Sequence, residues 1–211
     1  MKIDGESLLQ LTDHDLRVEL GVAKAADRHL ILREREAGEV RMCVHNLADG
    51  STHTIELPDE LYMVERAPSD DFETPELRLS YVSMCTPRTT FAYHCDTKML
   101  AQVHQIIVPG HQPSHYRTYR LSVRSEDGVD VPVSVVHRAD LTPDASTPLV
   151  VFGYGSYGNT VDPEFMAGMW LPLLERQGVF AIAHVRGGSM LGETWRKAGN
   201  LEHKQNAISD F

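Results

Sequence analysis

Two glycine-rich segments contain the residues whose types and spacing best suit chemistry. Residues 152–158 read FGYGSYG after one apolar run, and residues 184–188 read HVRGG after a second. Glycine lets a backbone turn sharply and approach another group closely, so two such strand ends predict the rim of a site in an α/β sheet. Tyr154, between Gly153 and Gly155, is placed to donate a phenolic hydrogen bond to a developing oxyanion. The structural alternative, which these residues alone favour, is a packed ring with a hydrogen-bonded hydroxyl.

The first segment also has the spacing Gly-x-Gly-x-x-Gly of a dinucleotide-binding turn. In that motif the third glycine lies in the helix whose N-terminus faces the pyrophosphate, but here residues 159–161 precede the predicted helix. Arg186 stands where an acidic residue would hold a ribose, although an arginine suits a 2′-phosphate. NADP binding is therefore the less favoured alternative, and we predict no cofactor.

A serine nucleophile of the Gly-x-Ser-x-Gly type is not predicted in this chain. Residues 187–191 read GGSML and fail at the last position, and Ser156 has Tyr154 where a glycine is required. Neither serine is followed at once by a helical pattern, which a nucleophile elbow requires.

Histidine and cysteine residues are too scattered to form a metal site. In the linker and in predicted strands, their spacing offers no third ligand. The pairs considered are His111 with His115, Cys43 with His45, and His94 with Cys95. We predict no metal.

Composition indicates a globular protein and excludes several classes of partner. Hydrophobic residues make up 42% and charged residues 24%, and no uncharged apolar run approaches the roughly 18 residues of a membrane span. The net charge is −10, of which −8 falls in residues 1–105, which disfavours nucleic acid. Three cysteines without CxxC spacing and an N-terminus without signal-like features predict a cytoplasmic protein.

The first half of the chain breaks into short β-like runs separated by turn residues. Runs recur with a period of about 45 residues and four per unit, which predicts two blades of a β-propeller, with an antiparallel sandwich as the alternative. The predicted strands are 16–21, 29–36, 40–47, 52–57, 61–66, 76–84, 89–96 and 99–107.

The second half changes from hairpins to strand, helix and strand. Residues 108–116, VPGHQPSHY, predict an interdomain connection, so the domains are set at 1–108 and 109–211. The apolar runs and the helical spacing between them predict a parallel βαβ unit. Its first strand is expected to be covered on both faces, and its helix to be capped by Asp162 and interrupted by Pro172. The predicted elements are strands 119–124, 129–137, 149–152 and 179–185, a helix 162–178, and helical pieces 195–197 and 203–211.

The glycine-rich segments and the tail, taken together, make the chain resemble the prolyl oligopeptidase family of serine peptidases. The resemblance rests on FGYGSYG, on HVRGGSMLGETW at 184–195 and on the tail 204–211. The YGSYG form, SMCTP at 83–87 and DGVDVPVS at 127–134 are similar to the oligopeptidase B branch.

The resemblance implies a mixed β and α/β fold, in which the last blades of a β-propeller precede the N-terminal part of an α/β-hydrolase domain. It makes Tyr154 the oxyanion-hole hydroxyl, and it gives the other loop residues a mainly structural role. Those residues are Gly153, Gly155, Arg186, Gly187 and Gly188. Met190 stands where the family usually has an acidic residue, which predicts altered hydrogen bonding in that loop.

The resemblance also implies a serine-type endopeptidase that cleaves short peptides after Arg or Lys through an acyl-enzyme. Its catalytic serine, aspartate and histidine, and the acidic groups that select Arg or Lys, are expected beyond residue 211. The chain alone is therefore predicted to be inactive. A non-catalytic interaction or decoy protein is the alternative. Short peptides are the expected partners, without nucleic acid or membrane.

Overall fold

The structure, a computed structural model, describes residues 18–26, 28–67 and 73–211, with side chains from Arg28 onward. Part of the strand predicted at 16–21 lies outside these residues. Within the described part, no helix is long and apolar enough to cross a bilayer.

Eight strands form two four-stranded antiparallel sheets, each in chain order. At the hairpin that joins the second and third strands, Glu36 pairs with Glu39, and the two residues between them, Ala37 and Gly38, both have positive φ, as a tight hairpin turn requires. The first sheet contains β1 Val18–Ala26, β2 His29–Glu36, β3 Glu39–Asn46 and β4 Thr52–Thr54. The second contains β5 Tyr62–Arg66, β6 Glu76–Ser83, β7 Thr89–His94 and β8 Met99–Gln105.

One apolar core joins these two sheets. Ile31 and Val44 of the first sheet and Leu79 and Tyr81 of the second belong to a single buried cluster. Tyr81 keeps its hydroxyl satisfied by donating to Asp59 at 2.5 Å. The two sheets therefore pack as neighbouring blades, with four strands in each as the sequence predicted.

The rest of the chain forms a third, mixed sheet with short helices. Its strand order is β11-β12-β10-β9, with β11 and β12 parallel and the other pairs antiparallel. The strands are β9 Tyr116–Arg124, β10 Asp130–Arg138, β11 Leu149–Gly153 and β12 Val179–Ala183. The helices are α1 Ala167–Leu174, α2 Glu193–Lys197 and α3 Lys204–Ser209.

Helix α1 connects the two parallel strands and is shorter than the sequence predicted. Trp170 and Leu174 are buried against Phe180 of β12 in one cluster. The predicted start at Asp162 is wrong, because the helix begins only at Ala167 and the Asp162 carboxylate pairs instead with Arg35 of β2. The Asp162 carboxylate thus forms an ion pair with a residue distant along the chain instead of capping the helix.

Strand β11 lies at the edge of the third sheet. All five residues of β12 are buried, as a strand covered on both faces requires. The same expectation is wrong for β11, where Leu149 is 57% exposed and Val150 is 47% exposed. Among the described residues, nothing pairs with its outer edge.

Candidate active site

The two glycine-rich segments begin side by side at one edge of the third sheet. Gly153 at the end of β11 pairs with Ala183 at the end of β12. Because the strands are parallel, Tyr154 and His184 are the first residues beyond the same edge. The structure therefore brings together the two segments that the sequence singled out.

Close backbone contact between the segments explains their glycines. A Cβ at Gly155 would lie 2.5 Å from the carbonyl oxygen of Arg186, and one at Gly187 would lie even closer to the carbonyl oxygen of Gly155. Gly187 also has a φ of +92°, which favours glycine. Gly158 then donates its N–H to the carbonyl of Gly187 at 3.0 Å. These glycines thus serve contact between the two segments, which fixes the backbone that follows Tyr154.

Tyr154 presents a partly exposed phenol at this edge. It is 43% exposed, and its hydroxyl makes no hydrogen bond to any residue that the structure describes. Thr160, His184 and Met190 line the same small cleft as its ring. The alternative of a packed ring with a bonded hydroxyl does not describe this side chain, and the phenol is available to donate to a ligand.

Arg186 is held by two carboxylates. Its Nη2 lies 2.6 Å from Oδ1 of Asp210, its backbone N–H donates to Oδ2 of Asp210 at 2.9 Å, and its Nη1 lies 2.7 Å from Asp127. Hydrogen bonding to Asp210 is the main cause that raises the pKa of this guanidinium. Since its side chain is only 5% exposed, Arg186 is not available to a nucleotide phosphate.

Lys204, at the start of α3, fixes the other side of the Tyr154 segment. Its ammonium donates to the carbonyl of Gly155 and, at 2.7 Å, to the hydroxyl of Ser156. Lys204 and Asp210 belong to the tail at 204–211 that carries the resemblance, but the sequence indicates no role for either. The spacing along the chain offered no signal that a lysine at the start of α3 and an aspartate directly after its end would hold both glycine-rich segments.

A buried serine and histidine lie behind the site. Ser134 Oγ is 2.7 Å from His184 Nε2, and the two side chains are 0% and 4% exposed. Burial, together with the nearby Arg120 and Arg35 cations, lowers the pKa of His184 to about 3, so the imidazole is neutral. A substrate cannot reach this serine, and the pair serves the packing of the sheet.

His111, one of the residues considered as metal ligands, has other partners. His111 Nε2 lies 2.7 Å from the carbonyl oxygen of Cys85, and its ring stacks on Tyr116, so this side chain is packed. In the described ranges, no three His, Cys, Asp or Glu side chains are grouped to hold a metal ion.

Met190 lies between the first sheet and the Tyr154 cleft. It is 2% exposed, its Sδ is 3.8 Å from Nη1 of Arg35, and its side chain lies against Gly38 of the β2–β3 turn. A thioether thus makes apolar and weak polar contacts where the resemblance led us to expect a carboxylate.

Two propeller-like blades followed by a mixed sheet with a tyrosine at its strand edge define a propeller–hydrolase protein. Two family models match the chain: "Prolyl oligopeptidase, N-terminal beta-propeller domain" over residues 4–105 and "Prolyl oligopeptidase family" over residues 164–211. The chain is 37% identical over 165 residues to dipeptidyl aminopeptidase BI of Pseudoxanthomonas mexicana, covering 78% of this chain and 23% of that protein.

Two further proteins are also similar to the chain, one in sequence and one in structure. Protease 2 of Moraxella lacunata is 34% identical over 183 residues, covering 86% of this chain and 26% of that protein. The structure of oligopeptidase B from Leishmania major superposes with a TM-score of 0.83 at 29% identity, over 95% of this chain and 29% of that one. The chain thus spans about a quarter of the length of the curated relatives it matches. It belongs to the prolyl oligopeptidase family, and the predicted fold is confirmed.

Proposed function

We propose that this chain supplies the oxyanion-hole tyrosine of a serine-type oligopeptidase that hydrolyses short peptides through an acyl-enzyme. The observation that carries the proposal is the phenol of Tyr154, partly exposed and without a hydrogen-bond partner among the described residues, at the edge of the third sheet. Membership of a family whose members include "Protease 2" and "Prolyl endopeptidase" supports it.

The geometry suits this role because the segment that carries the Tyr154 phenol is fixed before a substrate binds. Attack on a peptide carbonyl places negative charge on its oxygen, and a fixed donor stabilises that charge without reorganisation. Gly155 is fixed by backbone contact with Arg186 and by the ammonium of Lys204, so the residue before it is anchored on its C-terminal side. One such donor contributes roughly a hundredfold in rate.

For the substrate, we propose cleavage after Arg or Lys. The resemblance to oligopeptidase B motivates this preference, and the net charge of −10 favours basic peptides. Other relatives carry the name "Prolyl endopeptidase", so matched fluorogenic peptides with Arg, Lys or Pro before the cleaved bond decide between them.

We further propose a domain boundary at residues 108 and 109, a cytoplasmic location and no peptidase activity for the 211-residue chain alone. The third sheet begins at Tyr116, shortly after the proposed boundary. Three free, buried cysteines suit a reducing compartment. The single serine–histidine hydrogen bond among the described residues, between Ser134 and His184, is buried.

A chimera tests the proposal directly. Residues 1–211 replace the matching stretch of Protease 2, and the product is treated with a fluorophosphonate probe and assayed with the three peptides. We expect labelling, and we expect Tyr154→Phe to lower kcat by about a hundredfold with little change in KM, because only the transition state uses the donor.

Tyr157→Phe is the matched control, since Tyr157 lies in the same segment but is 89% exposed. It should leave kcat unchanged. An active chimera in which Tyr154→Phe keeps its kcat would contradict the assignment of Tyr154. A folded chimera that never labels would favour the non-catalytic alternative.

A further inference from the structure

A buried ion pair joins the first sheet to the segment that carries Tyr154. Arg35 of β2 is 3% exposed, and its Nη2 lies 2.7 Å from Oδ1 and 2.9 Å from Oδ2 of Asp162. The Asp162 side chain is 11% exposed. The two residues are 127 positions apart, so this contact depends on how the propeller and hydrolase parts dock.

Arg35 touches both segments that line the Tyr154 cleft. Asp162 directly follows Thr160 and Val161, which line the cleft, and Met190, 3.8 Å from Nη1 of Arg35, lines it from the opposite segment. One guanidinium from the propeller part therefore contacts each of the two segments beyond the sheet edge.

A second arginine, Arg120, and two carboxylates, Glu39 and Asp162, surround this contact. Arg120 of β9 is half-buried nearby, where burial lowers its pKa, the Arg35 cation lowers it further, and the carboxylates of Glu39 and Asp162 oppose the shift. Arg120 also donates to the carbonyl of Gly38, in the turn that follows Arg35. Without Asp162, the buried Arg35 guanidinium would lose this ion pair beside a second cation, Arg120, with the Glu39 carboxylate left to offset the two charges, which is unfavourable.

We propose that Arg35 is a positioning residue: through Asp162 and Met190 it holds the 154–162 segment, so that docking of the propeller sets the placement of the Tyr154 phenol. The role of Tyr154 itself rests on the function proposed above. The coupling between Arg35 and the segment does not depend on that function and is measured separately.

Hydrogen exchange on the 211-residue chain, kept dilute, measures the coupling without any activity. The N–H groups of Gly158 and Asn159 are hydrogen-bonded at 3.0 Å to Gly187 and Ser156, so their exchange reports opening of the segment. We expect Arg35→Met and Asp162→Asn each to speed this exchange by about tenfold or more, and the double variant to add little to either.

Arg28→Met is the matched control, because it removes an exposed arginine that pairs with Asp96 at 2.6 Å within the blades. It should leave the exchange of Gly158 and Asn159 unchanged. Wild-type exchange in both Arg35→Met and Asp162→Asn would overturn the proposal. If Arg35→Met does not fold, Arg35→Lys replaces it, with faster exchange expected and wild-type exchange again overturning the proposal.

In the chimera, a double-mutant cycle separates positioning from general stability. We expect Arg35→Met to lower kcat with little change in KM when Tyr154 is present, and to have no further effect on kcat in the Tyr154→Phe background. Equal losses in both backgrounds would overturn action through Tyr154. If Tyr154→Phe alone keeps its kcat, the proposed function fails, whereas the exchange measurements still decide the coupling.

Discussion

Arg186 binds two carboxylates of opposite exposure, Asp210 and Asp127. Asp210 has a fully buried side chain and receives hydrogen bonds from Nε and Nη2 and from the backbone N–H of Arg186. Asp127 is 44% exposed and meets Nη1 at 2.7 Å. Because both aspartates pair with the same guanidinium, replacing each in turn compares the strength of a buried ion pair with that of an exposed one.

Asp210→Asn is expected to lower the free energy of unfolding by about 3 kcal/mol, because it leaves the buried guanidinium without its main partner. Asp127→Asn should cost clearly less, since water screens an exposed pair. Urea denaturation of both variants provides the measurement. Equal costs would show that burial does not set the strength of this pairing.

Gly155→Ala is expected to cost about 3 kcal/mol of unfolding free energy, since a Cβ 2.5 Å from the Arg186 carbonyl cannot fit without moving one segment. Gly168→Ala is the control: it lies in α1 with no atom within 4 Å of an added Cβ. There the better helix former should stabilise the protein by roughly 0.5 to 1 kcal/mol. A neutral Gly155→Ala in thermal and urea melts would contradict the interlocked arrangement.

The sequence predicted the elements whose signals are local. Strand β2 was predicted at 29–36 and observed at His29–Glu36, because it ends at a tight turn that Ala37 and Gly38 encode by themselves. The meeting of Gly153 and Ala183 also followed from local patterns, since two apolar strands joined by a helix are parallel neighbours.

The sequence could not predict partners that are distant along the chain. Asp162 before Pro163 has the pattern of a helix cap, and nothing near it indicates that Arg35 binds the carboxylate instead. Strand β11 has the composition of a strand covered on both faces, but composition does not state where a strand lies in its sheet. Lys204 and Asp210 likewise contact residues that are distant along the chain, Gly155 and Arg186, which no local pattern indicates.

His184 is expected to make the protein less stable in acid. Its pKa is about 3 in the folded state because of burial, against 6.5 for an ordinary histidine, so the unfolded chain binds more protons between these values. Stability therefore falls as pH drops through this window, by up to about 1.4 kcal/mol per pH unit from this residue.

His184→Gln should remove that part of the pH dependence while keeping a side-chain partner for Ser134. His203→Gln is the control, because His203 is 58% exposed, and it should leave the slope as in the wild type. Unfolding free energies of the three proteins between pH 7 and pH 4 test this. An unchanged slope in His184→Gln would show that another group dominates the acid sensitivity.

The open edge at β11 is expected to drive self-association of the 211-residue chain. Leu149, Val150, Val151 and Phe152 are each between 37% and 57% exposed, and an exposed apolar edge strand offers unpaired backbone groups to another chain. Light scattering should therefore show a mass that increases with concentration.

Val150→Lys should suppress this association, because a lysine on an edge strand must be desolvated before a second strand can pair there. Leu201→Lys introduces the same charge at an 88% exposed residue outside the sheets and should leave the association unchanged. This pair of variants separates pairing at β11 from a general effect of net charge. If the wild-type chain keeps a monomer's mass at every concentration, or if both lysine variants act alike, the edge of β11 is not the contact.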